Sequence, residues 1–206
     1  MALKTTVLVN GINNLSDARY CAGMGADMMG FNLDSSNNNH LTEEAFKEIT
    51  GWVSGVQFTG EFSEASAPEI NELAFNLNLA YIQLNKTYLL DEIRKIEKPV
   101  IQKIYIDKDS VEEELRELMD LYKDDVAYFL IYSRDFDTID ETNIRFLRDL
   151  SGLYKLIIGF GVQKTNLEYI LDQIRPAGIG LQGTNEIRPG LKTCDELEEI
   201  FDALEE

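Results

Sequence analysis

Histidine occurs once in the 206 residues, at His40, so a His-based triad or a His-rich metal site is excluded by count. Cysteine occurs only at Cys21 and Cys194, far apart in sequence. That is neither a disulfide framework nor a metal motif; each reads as a small apolar side chain, and a reducing cytoplasm fits. Positive charge is short as well. Nineteen Lys and Arg face 37 Asp and Glu, for a net charge of −18, which speaks against nucleic acid and anionic membranes as partners. No apolar run approaches the ~20 residues that cross a bilayer. The start, "MALKTTVLVNGI", shows no apolar h-region followed by a small-residue cleavage site, so no signal peptide is expected. No long Pro/Gly/Ser linker breaks the chain, and no G-x-G-x-x-G follows the first apolar segment.

What is present is alternation. Hydrophobic residues make up 44% and charged residues 27% of the chain, ordinary for a globular domain. Short apolar segments recur with helical patterns between them. The expected strands are Val7–Asn10, Met28–Leu33, Val53–Phe58, Ala80–Leu84, Val100–Ile106, Val126–Tyr132, Lys155–Phe160 and Gly178–Leu181. The expected helices are Leu15–Met24, Glu43–Thr50, Ala67–Asn76, Tyr88–Ile96, Val111–Tyr122, Glu141–Leu150, Leu167–Ile174 and Asp195–Leu204. Thr165 with Glu168 and Thr193 with Glu196 have capping-box spacing, and Asp109 with Glu112 is similar. Acid-rich stretches such as "VEEELRELMDLYKDD" read as solvated helix faces. Strand–helix alternation implies parallel strands joined by right-handed crossovers. Eight such units predict one (β/α)8 barrel over residues 1–206, with an open doubly wound sheet as the alternative.

In a barrel of this kind chemistry sits at the C-terminal strand ends. That rule selects Asn10, Asn32, Asp34, Gln57, Thr59, Gln83, Asn85, Lys103, Tyr105, Tyr132, Ser133, Arg134, Gly159, Gly161 and Gln182. The set is rich in amides and hydroxyls and poor in acids, so it suits binding a polar ligand better than moving protons. Carboxylates at strand ends are too scarce for a metal site. Asp34 would serve as a base only if burial raised its pKa, and in "DSSNNNH" it reads first as a turn cap. Lys103 and Arg134 are candidate holders of a carboxylate or phosphate. The loops "GFGVQKTN" and "LQGTNEIRPG" supply Gly159, Gly161, Gly183 and Thr184 for a phosphate; tight strand-to-helix turns explain the same glycines. His40 lies in a polar loop and reads as a surface residue.

The stretch "LVNGINNLSDARYCAGMGADMMGFN" resembles the "KICGI" and "T…EDA…AGADALGF" opening of the phosphoribosylanthranilate isomerase family of tryptophan biosynthesis. "YIQLN" is similar to that family's "VQLHG", "YFLIYS" to its "LLLDS", and "LIIGFGVQKTNLEYIL" to its "LAGGLNPENV" segment. "GIGLQGTNEIRPGLK" resembles "VDVSSGVESSPGVKD", with Glu186, Pro189, Gly190 and Lys192 in step. The resemblance spans the chain. It implies a (β/α)8 barrel, a phosphorylated aminosugar ligand, a cofactor-free Amadori rearrangement and a monomer or homodimer.

Carried over residue by residue, the family's base, the Cys of "KICGI", falls on Asn10, and its acid, the Asp of "LLLDS", on Tyr132. Asn removes no proton, and Tyr is a weak acid with a reference pKa of ~10. The Arg of "SPRY" falls near Asn39, the His of "QLHG" on Asn85 and the Asp of "VDVSS" on Gly180. Gln83 is retained, while the "GGTG" phosphate loop has no counterpart in "SRDFDTIDETN". The expectation is an isomerase-like barrel that binds a phosphorylated sugar or aminosugar with the usual reaction lost or altered. Two alternatives stand beside it: an isomerase using substitute groups, with Tyr132 as acid and Asp34 or another group as base, and a non-catalytic partner or regulatory protein.

Overall fold

The computed structural model describes residues 3–141, 143–183 and 195–205. Thr184, Cys194, the Thr193–Glu196 cap and the Glu186–Lys192 motif lie outside the described residues. The elements alternate as expected. They are β1 (Thr6–Asn10), α1 (Leu15–Gly23), β2 (Met28–Asn32), α2 (Glu43–Thr50), β3 (Gln57–Phe62), α3 (Ala67–Asn76), β4 (Tyr81–Leu84) and α4 (Leu90–Ile93). They continue with β5 (Val100–Ile106), α5 (Glu112–Tyr122), β6 (Tyr128–Ser133), α6 (Ile144–Ser151), β7 (Leu156–Ile158), α7 (Leu167–Gln173), β8 (Gly178–Gln182) and α8 (Asp195–Leu204). The strands pair in parallel in chain order, and β8 closes on β1 from Thr6–Gly178 to Asn10–Gln182. This is the (β/α)8 barrel.

Strand alternation divides the core in two. Leu8, Met28, Ile101, Leu130 and Ile157 point inward and pack with Tyr81 and Tyr128 in the barrel interior. Their neighbours Val7, Val9, Met29, Phe129, Ile131 and Ile158 point outward, into the larger core shared with the helices. Phe31 of β2, Phe46 of α2 and Phe58 of β3 form an edge-to-face trio with centroids 4.9–5.9 Å apart, which seats α2 on the sheet. Below the barrel, the Gly-Ala-Asp turn uses its side chain as well as its backbone: Asp27 Oδ2 accepts from Val7 N at 2.8 Å.

The structure departs from the sequence reading at several element ends. The largest departure is β3, which runs over Gln57–Phe62, four residues later than expected. Its interior holds Gly60 and Glu61, two residue types that strands disfavour. Gly60 is accommodated because a Cβ there would meet Leu79 Cδ1 and Phe62 Cε2 at 2.7 Å. The fourth helix shrinks to Leu90–Ile93. The expected caps at Thr165 and Asp109 do not form. Asn166 precedes α7, with its Oδ1 accepting from Gln163 N at 2.8 Å, and Val111 precedes α5. A capping box forms instead at α3, where Glu69 Oε2 accepts from Ser66 N at 2.8 Å and from its hydroxyl at 2.6 Å. Cys21 is buried, as expected of a small apolar side chain.

Candidate active site

The inward positions that continue the apolar interior layer toward the C-terminal strand ends are polar. Register brings them into one ring: Asn10 pairs with Gln182, Asn32 with Glu61, Glu61 with Gln83, and Tyr105 with Tyr132. Of the expected residues, Asn10, Asn32, Gln83, Lys103, Tyr105, Tyr132 and Gln182 fall in this ring. Gln57 does not, because it begins β3 at the opposite end of the barrel, and Thr59 lies buried mid-strand.

Glu61 is the residue that sequence reasoning missed. It is nine-tenths buried and stands at the end of β3, contrary to the expected scarcity of acids there. Gly11, just past β1, adopts a left-handed conformation (φ 70°), and its amide donates to Glu61 Oε1 at 2.8 Å. A Cβ on Gly30 would collide with both Glu61 Oε1 and Asn10 Oδ1. Glycine at position 30 therefore makes the room in which these two groups sit side by side. Burial pushes the Glu61 carboxyl above its ordinary value, against the opposing pull of the Gly11 amide, the Lys103 charge and a hydrogen bond from Asn85. The signal that could have found it is the "TGEF" stretch itself: a carboxylate one residue from a strand's last apolar side chain.

The amides around Glu61 are only partly satisfied. Gln83 is fully buried and donates from Nε2 to Asn85 Oδ1 at 2.8 Å. Among the described residues, Asn10 Oδ1 and Gln83 Oε1 are buried without a hydrogen-bond partner. Across the mouth, Lys103 Nζ lies 4.2 Å from the Tyr132 ring centroid and 5.1 Å from that of Tyr105. The guanidinium of Arg134 lies 5.0 Å from the Tyr105 ring, and the two tyrosines meet edge to face at 5.8 Å. Among the described residues, neither Lys103 nor Arg134 makes an ion pair. Each cation is held by aromatic faces.

Asp34 is committed elsewhere. Its carboxylate accepts five hydrogen bonds, from Ser36 N and Oγ and from the amides of Ser63, Glu64 and Ala65. Burial alone would raise its pKa, but these bonds outweigh burial and hold it below the ordinary value, the opposite of what a base role needs. It ties the loop after β2 to the loop after β3. Ser133 works similarly, its hydroxyl accepting from the amides of Asp135 and Phe136 at 3.2 Å.

The glycines named for phosphate contacts have packing reasons. Gly159 N donates to Ile131 O at 2.8 Å, and a Cβ there would press on Leu130 and Tyr132. Gly183 N donates to Asn10 O at 2.7 Å. Both amides are thus taken up within the barrel wall. Gly161, with φ of 65°, makes the turn beside Thr138 and Ile139. His40 sits in the loop after β2 with its Nδ1 2.7 Å from Asn37 O.

Comparison with known proteins agrees with the barrel fold. Solved structures of similar fold include phosphoribosyl anthranilate isomerase from Thermotoga maritima, with a TM-score of 0.81 at 21% identity over 97% of this chain and 98% of that one. Another is a phosphoribosyl anthranilate isomerase in complex with reduced 1-(o-carboxyphenylamino)-1-deoxyribulose 5-phosphate, with a TM-score of 0.77 at 22% identity and the same coverage. Curated relatives carry the name N-(5'-phosphoribosyl)anthranilate isomerase. That of Sulfurihydrogenibium sp. is 26% identical over 207 residues, 95% of this chain and 97% of the relative. That of Chlorobium phaeobacteroides is 27% identical over 212 residues, 96% of each. The model of the N-(5'-phosphoribosyl)anthranilate isomerase family matches residues 7–203, and the chain belongs to that family.

Proposed function

We propose that this barrel binds a phosphorylated sugar or aminosugar at its mouth, and that the family's usual route through a base at position 10 and an acid at position 132 is closed. One observation carries the binding reading: among the described residues, polar groups at the mouth lack hydrogen-bond or ion-pair partners. Two acceptor oxygens, Asn10 Oδ1 and Gln83 Oε1, are buried without donors, although burying such a group costs about 1–3 kcal/mol. Two cations, Lys103 and Arg134, have no ion-pair partner among the described residues of a chain of net charge −18. Hydroxyls of a sugar complement the first pair, and a phosphate or carboxylate complements the second. The chemistry half rests on Asn10, whose amide cannot remove a proton, and on Tyr132, whose ring packs beneath Lys103.

Thermal shift with inorganic phosphate, ribose 5-phosphate and reduced 1-(o-carboxyphenylamino)-1-deoxyribulose 5-phosphate tests the binding half. At a ligand concentration of 100 times Kd the gain is about 2.7 kcal/mol, which for a chain of this size raises Tm by roughly 5–10 °C. No shift with any of the three contradicts it. Reactivation tests the other half: if the route through positions 10 and 132 is closed at both ends, Asn10→Cys with Tyr132→Asp raises isomerase activity above the wild-type level, and neither single variant does. A second reading, an isomerase with substitute acid–base groups, is favoured by the Glu61 carboxyl beside Asn10. For assembly we propose a monomer or homodimer, which sedimentation distinguishes.

A further inference from the structure

We propose that Glu61 is the proton-transfer residue of this barrel, giving a proton to the ring oxygen of an N-linked phosphosugar and taking one from the neighbouring carbon. The inference rests on the binding reading above and names the group that would act on the bound ligand.

Four observations carry it. Among the described inward-facing residues at the strand ends, Glu61 is the one carboxyl. It is nine-tenths buried and makes no ion pair among the described residues, an arrangement that costs stability. Its oxygen and that of Asn10 converge on the space left by Gly30, so it borders the position at which the resemblance puts the family's base. The carboxyl is aimed, not loose: the Gly11 amide holds one oxygen at 2.8 Å, and Gln83 of β4 with Asn85 just past it flanks the group.

The chemistry balances with this one group. In an N-glycoside of a furanose, the ring oxygen and the second carbon are both bonded to the first carbon, so one carboxyl reaches both. The protonated carboxyl donates to the ring oxygen as the C1–O bond breaks, and the nitrogen lone pair forms C1=N. The resulting carboxylate takes the C2 proton. The C–H electron pair becomes C1=C2, and the C=N pair returns to nitrogen. The enol-amine then tautomerises to the ketone, and the carboxyl ends protonated as it began. No oxidant, metal or cofactor enters. Lys103, across the mouth, carries the charge that favours the carboxylate stage.

The test uses N-(5'-phosphoribosyl)anthranilate as substrate and reduced 1-(o-carboxyphenylamino)-1-deoxyribulose 5-phosphate as a binding probe. The wild type should turn the substrate over. Glu61→Gln should lower turnover by about 10²-fold or more while probe affinity stays within roughly threefold. Glu61→Asp should recover part of the rate. The wild-type rate should fall with rising pH along a single ionisation that Glu61→Gln abolishes, a readout that a merely structural role would not move. Two results overturn the proposal and leave the binding reading intact: Glu61→Gln turning over at the wild-type rate, or a wild type that binds the probe without turnover. A wild type that fails to bind the probe overturns both. Because the turnover and pH measurements on the wild type need no variant, poor folding of Glu61→Gln does not shelter the proposal.

Discussion

At position 10 an amide stands where the resemblance puts a thiol, and two strands away, at position 61, a carboxyl sits in the barrel mouth. The two are connected through Gly30, whose missing side chain houses both oxygens. Gly30→Ala should therefore destabilise the fold by about 1–3 kcal/mol, the usual cost of overpacking, as read by chemical denaturation. The Glu61 carboxyl makes a second prediction. Its folded pKa lies above the ordinary 4.5, so the folded state holds the proton more tightly than the unfolded chain. Wild-type stability must then fall as pH rises from about 4.5 through the folded pKa. Glu61→Gln removes that loss, so melting curves should show the variant gaining on the wild type from pH 4 to pH 8. Asp34 gives the opposite sign. Its folded pKa is depressed, so its contribution is present above the ordinary 3.8 and lost as pH falls through the folded value. Asp34→Ala should cost about 1–3 kcal/mol at neutral pH, with the difference from wild type shrinking in acid. Asp34 was legible as a turn cap from its Ser/Asn-rich loop. Glu61 was not legible, because nothing local marks a carboxyl as inward-facing until the strand's register is known.

Among the elements, β3 explains why. The apolar residues Val53, Val56 and Phe58 drew the expected strand toward the start of the segment, and Gly60-Glu61 looked like its end. The true strand tolerates Gly60 because Leu79 and Phe62 cover it, a tertiary contact that no local propensity encodes. Gly60→Ala should cost about 1–3 kcal/mol through those contacts, measured by urea denaturation. By contrast, α2, α3, β5 and α8 fell where periodicity put them, since their apolar faces repeat cleanly and turn residues bound them. Caps were the weakest element feature. Asn166 holds the turn before α7 by bonding Gln163 N and Gly161 O, so Thr165 has no cap to form.

For the whole molecule, alternation alone was enough to imply eight parallel strands, and the closed order β1 to β8 is that barrel. The family match over residues 7–203 gives the same frame. Neither dictates the chemistry, because a fold is shared by many activities and only the groups at the mouth decide among them. Here that mouth brings together amide oxygens without a partner among the described residues and cations held on tyrosine faces, in a chain whose net charge would otherwise repel anions. The most direct test is calorimetric titration of reduced 1-(o-carboxyphenylamino)-1-deoxyribulose 5-phosphate into the wild type and into Lys103→Met. The account predicts one saturable site in the wild type and an affinity about 10- to 100-fold lower in the variant, the loss expected for one charge-assisted contact. No binding by the wild type, or equal affinity in both proteins, would contradict it.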